Sequence, residues 1–171
     1  MQRIFFAAAA ASSVALAGCA TPGTPSDLTP SARAPYVEMA AASDLFEIQS
    51  SQLALSKAQR PEVRTFAQML ITHHTMTTQQ LTAAASASGM TPPPPTLMPM
   101  QVAMLERLQN ASTADFDRVY VREQIPAHEM ALALHQNYAR NGDTPALRTV
   151  AGTAVPIIQQ HLTEARRLSN R

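Results

Sequence analysis

The chain has 171 residues, with 13 Lys and Arg against 12 Asp and Glu and a formal net charge of +1, which leaves no basic footprint for nucleic acid. Its single cysteine excludes an intramolecular disulfide, so stability has to come from an ordinary core, for which a chain of this length suffices. Abundant Ala, Leu, Gln and Met, few glycines and no tryptophan make helix the default expectation.

Residues 1–18 have the plan of a secretory signal: Arg3, an apolar run from Ile4 to Leu16, then small residues. The run is too short to span a membrane. It closes on Leu16-Ala17-Gly18-Cys19, which resembles the bacterial lipobox, so Cys19 is expected to become the lipidated first residue of the mature protein. The competing reading is an ordinary cleaved signal followed by a free thiol. Acyl chains on Cys19 would hold the protein at a membrane surface, each buried methylene contributing about 0.8 kcal/mol. In Gram-negative lipoproteins an Asp after the cysteine resembles an inner-membrane retention signal; here Ala20 follows, which favours the outer membrane. Residues 19–35, rich in Pro, Thr and Ser, read as the lipidated cysteine and a flexible tether.

The folded domain is expected over 36–171 as an all-α, ferritin-like four-helix bundle. Helical patterns cover 36–59, 61–88, 113–140 and 145–169. Pro61 and Pro145 suit first helical turns, and Gly89 suits a C-terminal stop. Tight turns near 60 and 141–145 pair the helices into two antiparallel hairpins. Between the hairpins runs a long crossover, with an extended Pro92-Pro93-Pro94-Pro95 stretch and a short predicted helix over 99–110.

On helical wheels, Glu47, His74, His128 and His161 each lie near the middle of an apolar face, so all four long helices turn a ligand-type side chain inward. Counted from the shared helix ends, Glu47 and His74 meet at one level and His128 lies within about 3 Å of it. His161 is out by roughly one turn, ~6 Å, which a helix offset would have to absorb. A lone inward histidine is commonly a hydrogen-bonded core residue, but a carboxylate and three imidazoles converging in an apolar shell are costly unless something compensates them. A divalent metal does so. The alternative is a metal-free network in which Glu47 pairs with one protonated histidine. Asp44, His73, Asp117 and Gln124 stand where they could orient the ligand rings, whereas His135, ~10 Å beyond His128 along its helix, is expected to be structural.

Di-iron bundles place Glu three positions before a ligand histidine, so that carboxylates bridge two metals. Ile71, Ile125 and Ile158 stand there instead, which argues for one metal and against ferroxidase chemistry. Zn, Cu, Fe and Mn all remain open. Met90, Met98, Met100 and Met104, in or beside the crossover, could offer thioethers to Cu(I), although packing the crossover onto the bundle is the commoner use of methionine. No phosphate-binding loop or nucleophile elbow is present, so binding is better supported than turnover.

Ser43-Asp44-Leu45-Phe46-Glu47-Ile48, Phe66-Ala67-Gln68-Met69-Leu70-Ile71 with His74, Phe116-Asp117 with Tyr120 and His128, and Val155-Pro156 with His161-Leu162 together resemble the bacterial ferritin-like family known as domain of unknown function 4142. The resemblance covers roughly 36–169. It implies a secreted or lipid-anchored bundle without an established reaction. The family pattern carries Asp immediately before the histidine of the second helix; this chain has His73 there, an extra nitrogen in place of a carboxylate. The expected function is therefore an envelope-anchored bundle holding one metal ion for sequestration, sensing or a redox role, with a metal-free structural or interaction module as the alternative.

Overall fold

The computed structural model describes residues 29–170. The signal peptide, Cys19 and the first part of the tether lie outside the described residues. Five helices and no strand are found among the described residues: α1 (Arg33–Lys57), α2 (Pro61–Ala87), α3 (Pro99–Asn110), α4 (Phe116–Asn141) and α5 (Pro145–Ser169). None of them is long and apolar enough to cross a membrane.

Proline opens α2, α3 and α5 at their first turns, where its missing N–H has no partner to lose. Gly89, at φ +73°, ends α2; the turn is closed by Gly89 N–H donating to Ser86 O and Met90 N–H to Ala85 O, both at 3.0 Å. Two boundaries differ from the sequence pattern. α4 starts at Phe116 rather than Thr113, because Ser112 and Asp115 bond to each other's side chains and backbone in a turn ahead of it. α1 starts at Arg33 rather than Tyr36, because the chain before it is already tied down. Thr29 O accepts from the Asn137 amide at 2.5 Å, and Ser31 O accepts from Asp143 N–H at 3.0 Å.

Hydrogen bonds across the helix ends define the arrangement. At one end Arg33 Nη1 donates to Ser88 O and Arg33 N–H to Asp143, joining the start of α1 to the ends of α2 and α4. At the other, Arg60 Nη1 donates to Leu168 O, and the Asp117 carboxylate accepts the backbone N–H groups of Gln59 (3.0 Å) and Arg60 (2.7 Å). The starts of α2 and α4 therefore share an end with the close of α1 and α5. Asp117 is corrected from a metal-site partner to a clamp on the α1–α2 turn: its oxygens are occupied there, at the far end of the helices. Lys57 fastens the end of α3 by donating to Leu108 O, Gln109 O and Ala111 O.

The interior is layered. One apolar cluster, built on Val63, Phe66, Leu70, Phe116, Tyr120 and Leu168, fills the end near Arg60. A second, built on Tyr36, Leu81, Leu134, Tyr138 and Leu147, fills the end near Arg33. In it the Tyr36 and Tyr138 rings stack at 3.7 Å. Gly142 passes so close to Tyr138 that a Cβ there would lie 2.5 Å from the ring. Between these layers every long helix contributes buried polar side chains.

His135 belongs to the Tyr36 layer: its Nδ1 and the Tyr36 hydroxyl are 3.1 Å apart, matching the structural role expected of it. Burial pushes its pKa down to about 4, a nearby Asp44 charge opposing and a nearby His74 charge reinforcing the shift. Unfolded, the ring takes a proton near pH 6.5. Stability is therefore present above that pH and is lost as pH falls from about 6.5 towards 4, by up to about 3 kcal/mol for this one group. Urea midpoints of the metal-free protein should accordingly fall across this window. The slope should become shallower in His135→Gln, which keeps a partner for Tyr36 but cannot titrate.

Candidate metal centre

The middle layer is assembled from one register position on each long helix. Asp44 and Glu47 lie one turn apart on α1, His73 and His74 are on α2, Gln124 and His128 one turn apart on α4, and His161 is on α5. Glu47, His74, Gln124, His128 and His161 are buried, with His128 and His161 at 0% exposure. The imidazole centroids of His74 and His161 are 5.3 Å apart, those of His128 and His161 5.3 Å, and those of His74 and His128 5.8 Å. The one-turn mismatch expected for His161 is thus absorbed in the packing of α5.

Each ring is held from behind. His74 Nδ1 lies 2.8 Å from Asp44 Oδ1, and His128 Nδ1 lies 2.8 Å from Gln124 O, the free lone pair of a backbone carbonyl one turn earlier. His161 Nε2 lies 2.8 Å from His73 Nδ1, with the two rings stacked at 5.1 Å. The Asp44 carboxylate and the Gln124 carbonyl accept, so His74 and His128 present Nδ1–H to them, whereas between His161 and His73 either ring can be the donor. His74 Nε2, His128 Nε2 and His161 Nδ1 are buried and find no hydrogen-bond partner. One ligand atom from each of the three histidines lies within 4.8 Å of the other two. A common ion would need them no more than about 4.2 Å apart, twice a metal–nitrogen distance of about 2.1 Å, which small side-chain adjustments can reach; outer hydrogen bonds of this kind characterise histidines that ligate metals.

Glu47 stands against this triad without joining that mutual spacing. Its Oε1 is 3.5 Å from His128 Nδ1, and neither carboxylate oxygen has a hydrogen-bond partner. Burial pushes its pKa up to about 8; the His74 charge works the other way, the Asp44 charge adds to the rise, and the Gln124 side-chain amide opposes it. The metal-free alternative, in which Glu47 pairs with a protonated histidine, takes a different form here, because the close ion pair is His74 with Asp44. Burial disfavours a charge on His74, but the Asp44 hydrogen bond and the charges of Asp44 and Glu47 raise its pKa overall. His128 is lowered to about 3 and His161 to about 2, in both cases first by burial and then by the neighbouring histidines. These two rings are neutral at any ordinary pH, the form that donates to a metal.

Asp44 is fixed by partners that the sequence reading left out. Thr77 Oγ1 donates to both of its oxygens at 3.0 Å, and Thr78 Oγ1 donates to Oδ2 at 3.0 Å. Their signal was present in the sequence, since threonines three and four residues after His74 share its helix face. Gln124 lies beside the triad: its amide donates to Ser50 Oγ at 3.0 Å, while its Oε1 is also buried without a partner.

The chain belongs to the DUF4142 family, described as a domain of unknown function, whose profile matches residues 18–168. No curated protein matches it in sequence. Among solved structures it is similar to CopM in the Cu(I)-bound form (21% identity, TM-score 0.68, covering 80% of this chain and 94% of that one). It is also similar to CopM in the Cu(II)-bound form (19%, TM-score 0.69, 81% and 96%). A DUF305 fragment from Deinococcus radiodurans matches at 16% identity and TM-score 0.71, covering 81% and 95%. At these identities the likeness is one of fold.

A buried carboxyl group whose polar contacts, to His128 and the Gln124 amide, are weak is a cost to the metal-free protein, about 1–3 kcal/mol for a poorly satisfied polar group. Glu47→Leu should therefore raise the thermal midpoint of the metal-free protein in calorimetry. A lowered midpoint would mean that the carboxylate is already satisfied without a cation.

Proposed function

We propose that this protein is a ferritin-like envelope lipoprotein that holds one transition-metal ion between His74, His128 and His161, with the Glu47 carboxylate beside them to offset its charge. The observation that carries the reading is the set of three buried imidazole nitrogens, one on each ring, that find no hydrogen-bond partner while the opposite edge of each ring is tethered from behind. Lone pairs collected in a dry layer repel unless a cation lies among them. The ferritin-like assignment is supported by the order of the helices and by the crossover, which carries the chain from one end of the bundle to the other before α4 begins.

Three imidazoles suit Zn, Cu and Fe, and Mn less well. Copper is the ion we favour, supported by the fold shared with CopM, whose solved structures include Cu(I)- and Cu(II)-bound forms. The single-metal reading is supported by Ile71, Ile125 and Ile158, which occupy positions where a bridging carboxylate would stand. Binding, for sequestration or sensing, accounts for the burial of the donors better than turnover does.

Equilibrium dialysis against Cu, Zn, Fe(II) or Mn(II), followed by elemental analysis, tests the centre. About one equivalent of copper should stay with the wild-type protein and should be lost in the His74→Leu/His128→Leu variant, whose fold is checked by circular dichroism. Asp44→Asn, which removes the charge behind His74, should weaken binding by about 10–100-fold. Retention of less than a tenth of an equivalent of every metal would leave a helical scaffold with a polar register device.

Attachment through Cys19 is part of the same proposal and rests on the lipobox. Intact-mass measurement of membrane-extracted protein should give an acylated Cys19 at the N-terminus, and Cys19→Ser should release the protein from the membrane fraction.

A further inference from the structure

Four of the nine methionines of the chain border one cavity of about 130 Å³. Met39 reaches it from α1, Met98 from the crossover, Met100 from α3 and Met130 from α4. Met90, Met98, Met100 and Met104 lie near one another along the chain, in or beside the crossover. The fold divides that set: Met90 packs into the Tyr36 layer and Met104 into a cluster with Phe46 and Ala127. Met98 and Met100 instead meet two methionines from distant parts of the chain.

We propose that this cavity is a second metal site, distinct from the histidine centre, that takes a soft monovalent cation, Cu(I) or Ag(I), on thioether sulfurs. Methionine fills gaps because it is unbranched and adaptable. A gap-filling cluster would leave little space, yet here four such side chains line a recess that stays open, with small Ala127, Ala131, Ala133 and Ser43 among its other walls. The chemistry of the lining selects the class of ion. Among the described residues no carboxylate and no imidazole borders the cavity, whose oxygen-bearing side chains are the hydroxyls of Thr29 and Ser43 and the amide of Gln101. The amide oxygen of Gln101 already accepts Met98 N–H at 2.8 Å. Hard divalent ions require oxygen donors and borderline ions require nitrogen, whereas a thioether set suits a closed-shell, polarisable cation. Met100 is 47% exposed and gives the site an opening to solvent. The cavity flanks the polar layer: Ala127 and Met130 bracket His128 on α4, and Ser43 precedes Asp44 on α1.

Silver(I), which is redox-inert, is the probe. It is titrated into protein carrying Cys19→Ser, so that no thiol competes, with the methionine methyl groups followed by carbon-detected NMR and the bound silver counted by elemental analysis. In the His74→Leu/His128→Leu background one equivalent should bind. It should shift the methyls of Met39, Met98, Met100 and Met130 while leaving exposed Met76 unmoved. Met98→Leu/Met130→Leu, added to that background, should lower the affinity at least tenfold. Unshifted methyls around the cavity, or Met76 shifting as much as the four, would overturn the proposal. Because the histidine centre is disabled in these proteins, the outcome is independent of whether that centre binds metal.

Discussion

Everything distinctive in this protein follows from one constraint: a polar layer is held dry between two apolar layers. With Phe66, Phe116 and Tyr120 on one side and Tyr36, Tyr138 and Leu147 on the other, water has little access to the level of His128 and His161. Polar groups placed there must find partners within the layer. The rings do so on one edge only. Asp44, the Gln124 carbonyl and His73 take the outer nitrogens, and the inner ones are left to meet one another. The strain of the arrangement is electrostatic, and a cation is the simplest agent that relieves it.

The back side of the triad differs from ring to ring. His74 rests on a carboxylate that two threonines fix in place, an arrangement that fixes the tautomer and makes the opposite nitrogen a stronger donor. His128 rests on its own helix, so its orientation follows from the backbone of α4. His161 rests on His73, a partly exposed ring on α2. The three rings are therefore held with unequal charge behind them, and His73 carries the α2–α5 side of the layer to the partly exposed surface.

Helix ends do a different task from helix faces. Asp117 illustrates the distinction: it shares a helical face with His128 and Gln124, yet it lies near the start of α4, where the α1–α2 turn offers two unsatisfied N–H groups. A carboxylate in that place closes the turn and sets the depth at which α1 and α2 enter the bundle. The level at which Glu47 and His74 meet depends in turn on that depth.

The one-dimensional pattern determined the helices, because apolar periodicity and the prolines and glycine at their boundaries are local properties. It also determined which side chains face inward, so Glu47, His74, His128 and His161 could be named without coordinates. Depth could be counted along Glu47, His74 and His128, whose helices share well-marked ends, but not for His161, whose level depends on how α5 slides in packing. Only the tertiary structure decided which nitrogen of each ring is free and that Asp44 rather than Glu47 pairs with His74. It likewise decided that Met39 and Met130 join Met98 and Met100 around one cavity. Those outcomes depend on contacts between residues far apart in the chain, and neither periodicity nor spacing encodes them.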